Sequence, residues 1–131
     1  MPPAGKVLLD TNIIIALFAG DSRVAKKLST TPEVFVSSIS LGELFYGAWK
    51  SSQSRANLRR LHDFSAASAI LSVDADTAED YGRLKAALKD KGRMIPENDL
   101  WIAAQARQHE LLLVSRDSHF DLVEDLHHAS W

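Results

Sequence analysis

The sequence predicts an α/β fold: one domain with a mostly parallel β-sheet of about four to five strands, flanked by helices on both faces. Three observations predict it. Short runs at 7–9, 34–36, 70–73 and 111–114, apolar but for Ser72, read as strands, and the first, stopping at Asp10, suits a strand buried on both faces. Stretches with helically spaced apolar residues separate those runs, which is the alternation of parallel strand–helix–strand units. A segment at 99–109 is apolar nearly all round, as a helix packed against a sheet and its neighbours must be. A chain of 131 residues fits one such domain, taken to span 1–131, and leaves little room for a second.

Taken in order, Val7, Leu8 and Leu9 form a strand that stops at Asp10, and Ile13 to Ala19 reads as a short helix ended by Gly20, with a longer strand as the competing reading. Asp21 is placed to cap a second short helix that runs to Leu28, and Pro32 breaks the chain. Val34, Phe35 and Val36 are β-branched and aromatic, a good strand. Ser40-Leu41-Gly42-Glu43 matches the Ser-x-x-Glu capping box and opens a helix in which Leu41, Leu44, Phe45 and Ala48 recur at helical spacing. A polar stretch, 51–54, divides it from a helix at about 55–67. The strand at 70–73 follows, and then a helix opened by Asp76 and Glu79, with Ala78, Tyr81, Leu84 and Leu88 on its apolar stripe and Gly92 as its closing residue. After Pro96 come the apolar helix, the strand at 111–114, a short helical or loop piece, and an edge strand near 127–130.

Composition narrows the function classes. The chain has no cysteine, which excludes a disulfide scaffold, a thiolate zinc site and a cysteine nucleophile, and agrees with a reducing cytosol. The longest apolar run, 13–19, is far too short to span a bilayer, and residues 1–6 lack a signal-peptide core, so the expectation is a soluble cytoplasmic protein with no membrane partner. No phosphate-binding glycine loop, dinucleotide fingerprint or serine nucleophile elbow is present. With 15 basic and 17 acidic residues the formal net charge is -2, which at first argues against a nucleic-acid partner.

The acids nevertheless form a pattern. In parallel α/β sheets the working site lies beyond the carboxyl ends of the strands. Asp10 directly follows the first strand, and Asp117 lies three residues after Val114. Glu43 stands in the first turn of the helix after the second strand, and Asp99 begins the buried helix. Each has a local alternative: a cap for Asp10, a capping-box partner for Glu43, a dipole-complementing acid for Asp99, a turn residue for Asp117. Together, four carboxylates on one edge raise one another's pKa values and call for a cation. Mg²⁺ and Mn²⁺ favour such oxygen ligands, and four acids suffice for two ions spaced for in-line phosphodiester cleavage.

These residues resemble a known family. Leu8-Leu9-Asp10-Thr11-Asn12 is similar to the first motif of PIN domains, Ser40-Leu41-Gly42-Glu43-Leu44 to the second, and Ile95 through Ala104, with Asn98-Asp99 at its centre, to the third and most specific. Leu113-Val114-Ser115-Arg116-Asp117-Ser118-His119-Phe120 resembles the fourth. The compact length resembles VapC-type toxins of toxin–antitoxin pairs. The resemblance implies a Mg²⁺- or Mn²⁺-dependent endoribonuclease that cleaves structured cellular RNA, transfer or ribosomal, with one or two ions. It implies that Asp10, Glu43, Asp99 and Asp117 are the catalytic, metal-binding acids, with Asn12 and Ser115 as supporting polar residues. Family members usually carry Thr where Ser115 stands. Glu97 is expected at the rim. A homodimer and a VapB-type antitoxin are the implied partners, in a higher assembly of toxin and antitoxin, and Phe45, Tyr46 and Trp49 are candidates for lining the antitoxin groove.

Arg116, beside Asp117, is a candidate phosphate contact, and the basic runs 50–60 and 85–93 are either solvated helix faces or phosphate contacts. None of the five histidines shows a metal-ligand spacing, so a histidine metal site is not expected. Two other readings compete: a PIN nuclease of RNA processing that is no toxin, and a receiver-like Mg²⁺-binding signalling domain, weakened by the lack of any lysine after Lys91. Setting the four assigned acids aside leaves 13 acids against 15 basic residues, so the net charge does not exclude RNA.

Overall fold

The computed structural model describes residues 5–131. Residues 1–4, part of the stretch in which a signal-peptide core is not found, lie outside the described residues. Five strands, β1 (Lys6–Leu9), β2 (Glu33–Ser37), β3 (Ala69–Leu71), β4 (Leu112–Val114) and β5 (His128–Ala129), form one sheet in the order β3-β2-β1-β4-β5. Every pairing is parallel; Leu8, for example, stands between Phe35 of β2 and Leu113 of β4. Six helices connect and cover them: α1 (Thr11–Phe18), α2 (Ser22–Ser29), α3 (Ser38–Lys50), α4 (Ser54–Ala66), α5 (Ala75–Asp90) and α6 (Glu97–Gln108), with a 3-10 turn at Ser118–Leu122.

The period-2 alternation of strand side chains divides the core in two. Val7 and Leu9 of β1 join Val36 and Val114 under α1, α2, α3 and α4, with Ile13, Ile14, Val24, Leu44 and Leu61. Leu8 and Leu113 point the other way, against α5 and α6, with Leu84, Leu88, Leu100, Ile102 and Phe120. Two apolar layers explain why the strands read as unbroken apolar runs rather than alternating ones. Among the described residues no helix is long and apolar enough to cross a membrane.

Local signals account for the boundaries. Gly20 and Gly92 take positive φ angles of 84° and 67° and close α1 and α5. At both ends two backbone bonds of the Schellman type form, Asp21 N–H to the Ala16 carbonyl with Gly20 N–H to Leu17, and Arg93 N–H to Leu88 with Gly92 N–H to Lys89. Asp21 caps α2, accepting from the N–H groups of Arg23 and Val24.

Two helix starts differ from the sequence reading. The cap of α3 is Ser37, which accepts from Ile39 N–H at 3.0 Å, so Ser40 lies inside the helix and Glu43 lies in its second turn rather than its first. The run from β2 into α3 needs no loop, and Ser37, still extended at φ -76°, ψ 143°, is the serine positioned to cap. The α5 capping box is Asp74 with Thr77, ahead of the expected Asp76 and Glu79, and Thr77 rather than Ala78 is buried on its stripe.

Candidate active site

The sheet order sets the location. From β1 the chain builds β2 and β3 on one side, then crosses to build β4 and β5 on the other, so the topological switch point lies between β1 and β4, where a crevice opens at the carboxyl edge. Asp10 follows β1 there, and Ser115 and Asp117 follow β4. Asp10 N–H donates to the Val114 carbonyl at 2.9 Å, which joins the two strand ends.

Asp10 holds the N-cap position of α1, but its side chain makes no capping bond. The carboxylate, on a residue only 5% exposed, instead accepts the Ser115 hydroxyl at 2.7 Å. Ser115 Oγ also accepts from Asn12 Nδ2 at 3.3 Å and from Asp117 N–H at 2.9 Å. Asn12 Oδ1 accepts Arg116 N–H at 3.2 Å. One hydroxyl and one amide thus fix the loop at 115–117 to the start of α1. Burial pushes the Asp10 carboxyl above its ordinary range; the Ser115 hydroxyl and the Thr11 amide oppose this, and the charges of Glu43 and Asp117 add to it.

Glu43 reaches the crevice from α3, where Thr11 Oγ1 donates to its Oε1 at 2.8 Å. Asp99, in the first turn of α6, completes the edge. Its carboxyl is pushed up to about 6, first by burial and then by the charges of Asp10 and Asp117, with His119 acting in the opposite direction. Asp117 caps the 3-10 turn, accepting from His119 N–H at 2.9 Å, and its charge also acts on Asp10 and Asp99.

The structure therefore brings Asp10, Glu43, Asp99, Asp117, Asn12 and Ser115 to one crevice. It also brings two residues that the sequence reading passed over, Thr11 and His119. His119 Nδ1 lies 3.1 Å from Asp99 Oδ2 and 2.9 Å from Asp117 Oδ1, so no helical or strand spacing predicts this contact. Its signal was its position two residues after an acid that caps a tight turn.

Other candidates make contacts away from the four acids. Glu97 is not at the rim of the acids: it points to α5, bonded to Lys85 and Tyr81, which hold its carboxyl below the usual range. Two positions along a helix turn a side chain about 200° away. The Arg116 guanidinium is already engaged, donating to the Trp131 carbonyl and to Asp21 Oδ2, each at 2.8 Å. An apolar groove of about 240 Å³ does adjoin the site, with Thr11 and Glu43 at its lip. Its α3 wall is Leu44, Gly47 and Ala48, facing Ile15 and Phe18, whereas Phe45, Tyr46 and Trp49 lie outside it. Phe45 packs beside His62 on α4, and Tyr46 and Trp49 are 65% and 70% exposed.

Carboxylates gathered at the switch point of a parallel sheet define an α/β protein with an acidic crevice of the kind a divalent cation can occupy. The PIN domain profile matches residues 7–126, and the chain belongs to the PIN domain family. It is 37% identical over 131 residues to ribonuclease VapC2 of Haemophilus influenzae, covering 96% of this chain and 98% of that one. It is 32% identical to the tRNA(fMet)-specific endonuclease VapC of Shigella flexneri, covering 96% and 98%. Among solved structures, VapBC2 from Rickettsia felis bound to a DNA fragment from its promoter superposes with a TM-score of 0.89 at 30% identity, over 95% of this chain and 98% of that one. DNA-bound VapBC from Salmonella typhimurium gives 0.90 at 29% identity, over 96% and 98%.

Proposed function

We propose that this protein is a VapC-type toxin, an endoribonuclease that cleaves structured cellular RNA, transfer or ribosomal, by metal-dependent hydrolysis of a phosphodiester bond. The observation that carries the reading is the convergence of Asp10, Asp99 and Asp117, with Glu43, on the crevice between β1 and β4. The donor set fits a hard divalent cation: all four are carboxylates, and burial, with mutual repulsion added to it, raises Asp10 and Asp99, a cost that a cation would relieve. Asp10, Glu43, Asp99 and Asp117 would hold Mg²⁺ or Mn²⁺, as one ion or two. Bound there, the cation supplies Lewis acidity toward a phosphate oxygen and toward water.

The remaining chemistry belongs to the chain. Ser115 donates to Asp10 Oδ2 and fixes the orientation of that carboxylate. Asn12 fixes the Ser115 rotamer and the loop carrying Asp117. Thr11 steers Glu43 inward from an otherwise exposed helix face. The buried face of α6 fixes the backbone that carries Asp99.

Full-length similarity to VapC ribonucleases, and to toxins solved with VapB partners, supports a VapB-type antitoxin as the partner of this chain too. The groove beside Thr11 and Glu43 is the docking place we assign to it. A homodimer, a higher toxin–antitoxin assembly and a cytoplasmic location belong to the same reading, with residues 1–131 acting as one nuclease domain. The receiver-like alternative requires the 2-1-3-4-5 strand order of flavodoxin-like folds, and the order here is 3-2-1-4-5.

The test is purified protein with total RNA and Mg²⁺ or Mn²⁺, followed by sequencing of the new RNA ends. Defined new ends are expected, lost in excess EDTA and lost by at least about a hundredfold in Asp10→Asn, Asp99→Asn and Asp117→Asn. Cleavage that persists in EDTA overturns the metal mechanism, and the absence of new ends overturns the ribonuclease reading.

A further inference from the structure

His119 stands where a ligand would stand. Its Nδ1 is 3.1 Å from Asp99 Oδ2 and 2.9 Å from Asp117 Oδ1, and each of the three residues brings a ligand atom within 4.8 Å of the others. Two atoms bound side by side to an octahedral ion at about 2.1 Å are separated by about 3.0 Å, the edge of the octahedron. The two nitrogen–oxygen distances are of that size.

The position is built from both sides. Asp117 accepts the backbone N–H of His119, which sets the point from which the imidazole projects. Phe120, the next residue, is fully buried in the core beneath α6, the helix that carries Asp99. The turn and the helix are therefore locked together, with the ring between their carboxylates.

We propose that His119 is a nitrogen ligand of the cation held by Asp99 and Asp117, and that it shifts the site's preference toward Mn²⁺ over Mg²⁺. The proposal rests on the cation-site reading above. Mg²⁺ takes oxygen ligands and gives up its water reluctantly, so an imidazole adds little to its binding. Mn²⁺ begins the Irving–Williams series, along which nitrogen donors add affinity. In the tautomer protonated at Nε2, Nδ1 presents its lone pair to the point between the two carboxylates.

The test is pulsed EPR of Mn²⁺ bound to the metal-free protein, with calorimetric titration of Mn²⁺ and of Mg²⁺. Nitrogen modulation of the Mn²⁺ signal is expected in the wild type and lost in both His119→Ala and His119→Gln. Mn²⁺ affinity is expected to fall roughly tenfold in His119→Ala while Mg²⁺ affinity changes by less than about threefold. The Gln variant keeps length and polarity and offers an oxygen, so it guards against a collapsed loop; circular dichroism confirms that both variants are folded. Mn²⁺ bound without nitrogen modulation, or with equal affinity in His119→Ala, overturns the proposal and leaves the acid site standing. No Mn²⁺ binding in the wild type, or undiminished binding in Asp99→Asn, overturns the cation site and the proposal with it.

Discussion

Arg116 stands between two residues of the site, Ser115 and Asp117, yet its guanidinium runs to Asp21 at the start of α2 and to the Trp131 carbonyl. A phosphate contact and a tether make opposite predictions. Arg116→Ala should lower the melting temperature while leaving the KM for RNA within about twofold and its salt dependence unchanged; loss of RNA affinity with an unchanged melting temperature would restore the phosphate contact. Asp10 and Asp117 were legible because strand ends next to them fix their addresses, whereas Glu43 and Asp99 were legible through the helices that carry them. The contacts Thr11–Glu43, Asp99–His119 and Arg116–Asp21 were not, because they join residues 32, 20 and 95 apart through side-chain direction alone. Asp99 gives a second prediction at this scale. Its folded pKa of about 6 exceeds the ordinary value of 3.8, so the metal-free fold holds a proton that the unfolded chain releases. Its contribution is therefore present below about pH 4 and is lost as pH rises through 6, on the order of 3 kcal/mol. In EDTA at pH 7.5, Asp99→Asn should melt several degrees above wild type, and the difference should vanish near pH 4. A variant that melts no higher than wild type would sink this account.

The start of α3 shows what elements conceal from pattern matching. Four serines lie within 37–51, and three of them, Ser37, Ser38 and Ser40, fall in four positions, so the motif Ser-x-x-Glu can be satisfied on paper by a serine already inside the helix. Backbone conformation decides: only a residue still extended can cap, and that is Ser37. Ser40 is fully buried and its hydroxyl has no hydrogen-bond partner among the described residues. Chemical denaturation should show Ser37→Ala costing about 1 kcal/mol and Ser40→Ala costing nothing or stabilising slightly. If Ser40→Ala is the costlier of the two, the cap is misassigned. The freedom of Glu43 follows from the same shift, since a residue in the second turn owes nothing to the cap. The central strands β2, β1 and β4, by contrast, were plain in the sequence, because burial on both faces permits little but Val, Leu and Phe along their inner stretches.

At the scale of the molecule, charge is divided as the core is. Up to residue 68 the chain has eight basic and five acidic residues, and beyond it seven and twelve. The first part supplies α1 to α4 and the second supplies α5, α6 and the 3-10 turn, so the two faces of the sheet carry opposite sign. On the acidic side Arg83, Lys85 and Lys91 are paired with carboxylates, whereas Arg55 and Arg59 on α4 make no ion pair among the described residues. Replacing Arg55 and Arg59 together by Ala should weaken RNA binding and flatten its salt dependence by roughly one unit of slope per residue; Arg83→Ala should change neither. Equal effects at Arg83 would mean that RNA does not favour the α4 side.

The crossing between β1 and β4 also has a consequence in time. Asp10 and Glu43 leave the ribosome early, whereas Asp99, Ser115 and Asp117 come from the last third of the chain, and Ser115 follows the strand that must dock beside β1. A nascent chain therefore carries half a site with no partner, and so does any truncated product that stops short of β4. On the proposed function, a nuclease assembled across that seam would stay silent during its own synthesis and gain its cutting edge only when the last strands close the sheet.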